Sequence, residues 1–499
     1  MGAPGWMLVL PQPLTQPEPP MLKIVPEVRA DANPDTMSPL RAAFRAEVER
    51  RLGDGDFASR ETVALDLANE QVCAELKEAL EEIVEKHGEE ELLIDGECYR
   101  YHRSGSATYH SLTGPLRVSR PSFRKVGERN GRIVIPLDHE AGIVERATPM
   151  FAERVAMGTA DGPSRDLVRQ LTASRRVPPS RATLETMGKR LGAALHRRTR
   201  VIEATARLSE MLLSATVTLC LGLDRTTAPM EEDCPEGTPI PERKKPRVRS
   251  APAPITVQYR MAYVGTMAFV DVYGAVLLTL KYAAAPEDGP EGILHSMMQD
   301  VRRALQQDGA LNVVVIQDAA QEMWTRLVGA LQDEPSVDHW EELVDHFHAM
   351  SHFWAAAEAM EANTYKTMEV WLDALCTDED AVQHIAQELT DEVARGYLPK
   401  YRIAMEDELT FITNNGARMN YAAFRKAGFP IGSGPTEGAC KSFFSIRCKR
   451  SGQRWRTRGL RSTLACRAHL LNDRFPIAMR TLRRYDYTSD IQPLTKCAA

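Results

Sequence analysis

The chain has 499 residues, of which 43% are hydrophobic and 26% charged, with a net charge of −6. This is an ordinary balance for a water-soluble protein and unlike that of a disordered or collagen-like chain. No apolar run reaches bilayer length, and the Trp6 to Leu10 patch has prolines around it and no basic region before it, so neither a membrane span nor a signal peptide is expected. Nine scattered cysteines, without a CxxC pair or zinc spacing, speak against a disulfide framework and suit buried thiols in a reducing cytoplasm.

The length predicts two to four domains. Residues 1–37 are proline-rich and lack period, which predicts a disordered tail. Two helices follow. The second covers about 61–87, where Val63, Leu65, Leu67, Val72, Leu76, Leu80 and Ile83 recur at mostly helical intervals. Then the period changes. The stretch 92-LLIDGECYRYHR-103 predicts a hairpin turning at Asp95-Gly96. A second strand–turn–strand unit is expected over 107-ATYHSLTGPLRVSRPSF-123, and one more strand at 133–135. Residues 38–137 therefore read as helices plus a small antiparallel β module. Tyr101, His102, Arg103 and His110 on it suit solvated strand faces better than DNA contacts.

Residues 138–210 read as helical. In 164-SRDLVRQLTASRRVPPSRATLETMGKRLGAAL-195 a short helix breaks at Val177-Pro178-Pro179, and Ser180 caps a second helix carrying Arg181, Lys189 and Arg190. The layout is a candidate helix-turn-helix, with Arg181 as a candidate DNA contact. Plain packing of two helices about a proline turn is the competing reading.

An α/β region begins near residue 211. The stretch 215-ATVTLCLGLD-224 alternates as a strand ending on Asp224, although Glu231, Glu232 and Asp233 offer competing acids nearby. Residues 231–254, with the basic cluster 242-ERKKPRVR-249, read as a loop. Two strands follow, 257-VQYRMAYVGTMAFVD-271 and 275-AVLLTLKYA-283, joined near Tyr273-Gly274. A helix over about 291–307 leads to 311-LNVVVIQD-318, a continuous apolar run suited to a strand buried on both faces and ending on Asp318. In such sheets ligands gather at strand ends. Residues 335–425 are predicted to be a helical insertion. It includes 343-LVDHFHAMSHFWAAAEAM-360, where Asp345, His348 and His352 fall near one helical face. That spacing suits a metal or a DNA contact, but a packed helix with hydrogen-bonded histidines is the favoured reading.

The stretch 429-FPIGSGPTEGACKSFFSIRCKRSGQRW-455 opens as a turn and starts a helix at Gly434-Pro435. Glu437 falls in the first turn, where the helix dipole favours a carboxylate, and Lys441 lies one turn on. Arg447, Lys449, Arg450, Arg454, Arg456, Arg458 and Arg461 follow. From Lys441 to Arg484 there are 13 Lys plus Arg and one acid, a net +12 against −18 for the rest of the chain. With Phe443, Phe444 and Trp455 interleaved, the run predicts a phosphate-binding surface rather than an ordinary solvated face. Residues 476–499 read as a C-terminal tail.

The pattern PIGSG, two residues, Glu437, two residues, Cys440-Lys441, then RCKRSGQRW, resembles the C-terminal catalytic signature of bacterial insertion-sequence transposases of the DDE, ribonuclease-H-like kind, close to the ISKra-type group. The likeness covers about 210–475. It departs from the family pattern in the Ala-Ala after Asp318, where a glycine is expected soon after, and in Pro435-Thr436 before the glutamate. The resemblance implies an α/β core, a ribonuclease-H-like mixed sheet with flanking helices, over 211–334 and 426–475. It implies a DNA transposase that cuts transposon ends and joins the freed 3′-hydroxyl to target DNA. Asp224, Asp318 and Glu437 would be the catalytic and metal residues for two Mg²⁺, or Mn²⁺, with Asp224 bridging both ions, about 3.5–4 Å apart. Lys441, Arg447, Lys449 and Arg450 would hold phosphates, Arg454, Arg456 and Arg458 would extend that surface, and Trp455 would stack on an unpaired base. The implied partners are double-stranded DNA, from transposon ends and target, and a second copy of the chain in a homodimer or larger synaptic complex. The implied setting is the bacterial cytoplasm at the nucleoid. A DNA-binding relative that has lost catalysis and a metal-dependent nuclease without strand transfer are the alternatives.

Overall fold

The structure is a computed structural model describing residues 34–87, 91–234, 255–360, 363–395, 398–487 and 489–493. The expected disordered tail up to residue 33, the basic cluster 242–249 and residues 494–499 lie outside the described residues. The chain divides after Ala68 into two compact units. In the first, α1 (Pro34–Leu52) already includes residues 34–37, which composition assigned to the tail. The second helix, α2 (Phe57–Lys86), starts four residues before the apolar period does, because Asp56 Oδ1 accepts from Ser59 N at 2.9 Å and caps it.

The second unit begins at Asn69, within α2, and continues with an antiparallel sheet of β1 (Leu92–Ile94), β2 (Glu97–His110), β3 (Pro115–Lys125) and β4 (Ile133–Val134). Asp95 and Gly96 both take positive φ, 52° and 79°, as a two-residue hairpin turn demands. Tyr109, Leu116, Val118, Leu80 and Leu137 form its buried face. Helices α3 (Pro136–Glu140), α4 (Pro149–Asp161), α5 (Ser164–Ala173) and α6 (Arg181–Ser209) follow. Ser180 caps α6 as expected, its hydroxyl accepting from Thr183 N at 3.2 Å. Leu184, Met187, Leu191, Leu195 and Ile202 give α6 a buried stripe at helical spacing.

Next comes a mixed α/β layer: β5 (Thr218–Asp233), β6 (Ile255–Val270), β7 (Val276–Ala284), α7 (Glu291–Gln307), β8 (Asn312–Gln317), α8 (Gln321–Gln332) and β9 (Glu341–Val344). The sheet order is β7-β6-β5-β8-β9, with the first three strands antiparallel and β8 and β9 parallel to β5. Two expectations are corrected here. β5 does not stop at Asp224 but runs on to Asp233. β8 accompanies it only from Thr218 to Leu221, while β6 pairs with it throughout and keeps the backbone bonded. And β9 falls inside the stretch read as helical insertion, because four residues are too short to reveal a period. The rest of that stretch is helical: α9 (His346–Ala359), α10 (Thr364–Thr377), α11 (Ala381–Ala394), α12 (Pro399–Asn415) and α13 (Tyr421–Lys426).

Helix α14 (Gly434–Cys440) continues without a break into a π-helical segment, Lys441–Cys448, and α15 (Thr457–Leu471) and α16 (Phe475–Leu482) complete the layer. α15 lies so close to α6 that a Cβ on Gly192 would stand 2.3 Å from the Ser462 carbonyl oxygen. The described part of the region read as a C-terminal tail, 476–487 and 489–493, belongs to the fold. α16 buries Phe475, Ala478, Met479 and Leu482 in the same core as α6, and β10 (Ile491–Pro493) pairs with β1. The apolar spacing of 475-FPIAMRTL-482 places those four side chains on one helical face. Among the described residues no helix is long and apolar enough to cross a membrane.

Candidate active site

Parallel pairing sets the site. β5 and β8 pair through Leu221 and Val315, and β8 and β9 through Gln317 and Val344. Carried forward, the same registers bring Asp224 level with Asp318, and Asp318 level with Asp345. Asp345 N donates to Gln317 O at 3.0 Å, which holds the third residue in line. Three adjacent strands thus each contribute an aspartate as their parallel ladder ends, where side chains of one row share a face. Trp324, buried on α8, donates its indole N–H to Asp318 O at 2.7 Å and fixes the end of β8.

Glu437 reaches the row from α14. Gly222 makes this approach possible: a Cβ there would stand 2.2 Å from Thr436 Oγ1, and Thr436 instead meets Thr266 in a 2.7 Å hydroxyl hydrogen bond. Asp224, Asp318, Asp345, Glu437, His348 and Phe347 line one cavity of about 330 Å³. Asp224 Oδ1 accepts from Arg225 N at 2.6 Å and Oδ2 from the Cys440 thiol at 3.3 Å. Asp345 is buried and accepts from His348 N at 2.8 Å and from Ser433 N, which pins the PIGSG turn to the start of α9. The Asp318 carboxyl takes no hydrogen bond among the described residues. Burial pushes its pKa up; His348 opposes that, while Asp224, Asp345 and Glu437 add to it. Glu437 is exposed and pairs with Lys441 at 3.2 Å. Among the described residues no three His, Cys, Asp or Glu side chains are grouped so as to hold a metal ion.

The competing acids are elsewhere. Glu231 pairs with Arg454 and Arg456, Asp233 with Arg456, and Glu232 with Arg260. His352 follows the packed-helix reading: it bonds Glu408 at 2.8 Å and stacks on Phe411. Sequence reasoning quoted Cys440 within the PIGSG pattern but gave it no role, since nothing local reports its contact with Asp224. It placed Asp345 on a helix face because β9 went unrecognised.

The basic run needs the largest correction. Arg447, expected to hold phosphate, is buried; it donates to Thr159 O at 3.0 Å and lies over the Trp455 ring, 5.1 Å from its centroid. Trp455, expected to stack on a base, is half-buried under that guanidinium, with its N–H on Cys448 O at 2.8 Å. Lys449 donates to Thr226 Oγ1 at 2.8 Å, and Arg450 pairs with Asp166 at 3.1 Å. Arg454 and Arg456 face the carboxylates just named. Arg458 is exposed and makes no ion pair among the described residues. On α6, Lys189 pairs with Glu185 and Arg190 with Glu145, while Arg181 is exposed at the first turn. Charge density in sequence therefore overstates the free positive surface, because most of these cations meet acids or carbonyls from distant segments.

Comparison of the chain with models of known protein families gave no match, and comparison with curated proteins gave none either.

Proposed function

We propose that the chain is a DDE-type DNA transposase built on a ribonuclease-H-like core. The observation that carries this reading is the shared cavity: Asp224, Asp318 and Glu437, picked from sequence as one triad, line it together. The strand order β7-β6-β5-β8-β9, three antiparallel and two parallel, supports the fold assignment.

The donor chemistry suits a divalent cation. A half-buried carboxyl with no donor, raised by burial and by three neighbouring acids, lacks the positive charge that Mg²⁺ or Mn²⁺ would bring. The three carboxylates are not gathered as a ligand cluster among the described residues, so Asp224, Asp318 and Glu437 would hold the ion only after Glu437 leaves Lys441 and turns to the other two. Such ions would activate the attacking oxygen and stabilise the departing one. The chain's own residues set the geometry: the ladder aligns Asp224 with Asp318, Trp324 anchors the end of β8, and Asp345 ties Ser433 and α9 to the row. Lys441, Lys449 and Arg458 remain the cations best placed to meet a DNA backbone, and Arg450, Arg454 and Arg456 would exchange carboxylates for phosphates.

The test is Mg²⁺- or Mn²⁺-dependent nicking and joining of a duplex carrying the element's ends, with Glu437→Gln as control. Nicking that persists at full rate in that variant removes the assignment. Nicking without joined product favours a nuclease.

A further inference from the structure

A second cavity, of about 310 Å³, lies on another part of the layer, between α6, the end of β7, the start of α7 and α15. It shares no lining residue with the acid cavity. Its size falls in the range of small-molecule sites, which begins near roughly 300 Å³.

Three observations define its chemistry. His469 lines it, is only 3% exposed, and its Nε2 has no hydrogen-bond partner among the described residues. Burial pushes the imidazole down to about 3, so at neutral pH the ring is uncharged and offers one donor and one acceptor. Glu203, also buried, sits nearby with Ser296 donating to it at 2.6 Å. Leaving a buried polar atom unpaired is costly, so a partner for Nε2 is expected. The second observation is charge at the open side. Arg197 and Arg200 are exposed, Lys281 half-exposed, and none of the three makes an ion pair among the described residues. Third, Ile293, Leu464 and Ala468 add apolar groups to the lining.

We propose that this cavity binds a small phosphorylated organic ligand of nucleoside monophosphate size. Its heterocyclic body would lie on the apolar wall and hydrogen-bond His469, and its phosphate would meet Arg197, Arg200 and Lys281. Three unpaired cations suit a dianionic head better than a single carboxylate. The assignment does not depend on the transposase reading.

The test is calorimetric titration of the full chain with AMP in EDTA, with adenosine and inorganic phosphate as separate arms. AMP binds with Kd below about 1 mM, and each half alone binds at least about tenfold more weakly. Arg200→Ala with Lys281→Ala weakens AMP about tenfold and leaves adenosine unchanged. His469→Phe weakens AMP and adenosine together. Gly292→Leu is the second variant, since a Cβ at Gly292 meets nothing within 4 Å; it fills the cavity and abolishes binding. Asp318→Asn leaves binding unchanged. No AMP binding at 1 mM means the cavity holds water only and overturns the proposal. So does binding that ignores the cavity variants or disappears with Asp318→Asn.

Discussion

The Cys440 thiol donates to Asp224 Oδ2 across 3.3 Å, linking α14 to β5 from 216 residues away. A thiol is a weak donor, so the contact orients this carboxylate without a strong hydrogen bond. Burial and the neighbouring Asp224 both raise the Cys440 thiol well above its ordinary value. Cys440 therefore stays protonated and resists alkylation in the native state. With iodoacetamide at pH 8, exposed Cys98 reacts first and Cys440 at least about 100-fold more slowly, as peptide mapping would report. Rapid labelling of Cys440 in folded protein would contradict the contact.

Asp318 has a raised pKa in the fold, so the native state binds its proton more readily than the unfolded chain does. Stability is lost as pH rises from the unfolded carboxylate value through the folded one, and stays lower above it. At pH 7, Asp318→Asn should then raise the Tm by roughly 1–2 °C, while reducing metal-dependent nicking about 100-fold or more. Adding Mg²⁺ should raise the wild-type Tm and leave the variant's almost unchanged. A lower Tm for the variant would mean the acids do not repel one another.

Gly222→Ala should push α14 off β5, since the new methyl collides with Thr436 Oγ1. The expected cost is about 1–3 kcal/mol, with nicking lost as Glu437 moves. Thr436→Ala in the same chain makes room and should restore most of the stability. Denaturant melts of the single and double variants decide it.

His469 titrates near 3 in the fold and near 6.5 when unfolded. Between those values the unfolded chain binds the extra proton, so stability falls as pH drops from about 6.5 towards 3. The contribution is on the order of 4 kcal/mol at full extent. His469→Gln should therefore lose less stability than wild type between pH 7 and pH 4. Equal losses in denaturant titrations would show that His469 is not buried as described.

Arg474 belongs to the basic run by sequence, yet it is 1% exposed and bonds Glu210 at 2.7 Å and Asp300 at 2.8 Å. Removing it leaves buried Asp300 with Arg207 as its cation and Tyr282 as its hydroxyl donor, and takes the guanidinium away from Glu210. Arg474→Met should cost about 3–5 kcal/mol, and Asp300→Asn in the same chain should return part of it. A neutral Arg474→Met by chemical denaturation would refute the buried network.

Local signals were legible in the sequence. The Asp95-Gly96 turn, the Ser180 cap, the helix over 291–307 and the apolar run of β8 are each decided by neighbouring residues, and each is found as expected. What depends on distant partners was not. β5 outlasts Asp224 because β6 stays beside it, and no local residue reports that. β9 is a strand because β8 offers it a parallel edge. The burial of Arg447 and Arg474 depends on Thr159, Glu210 and Asp300, far away along the chain. A row of cations shows how much charge is present and not how much is already neutralised.

Asp345 starts α9 and also receives the backbone of Ser433, one residue before α14. The helices from His346 to Lys426 therefore depart from and come home to a single carboxylate. Beyond that shared anchor the excursion is packed into the sheet's own core, through Phe353, Ile412 and Phe424, and Tyr421 donates to Val344 O on β9, so a change of shape within it is transmitted to the row of acids.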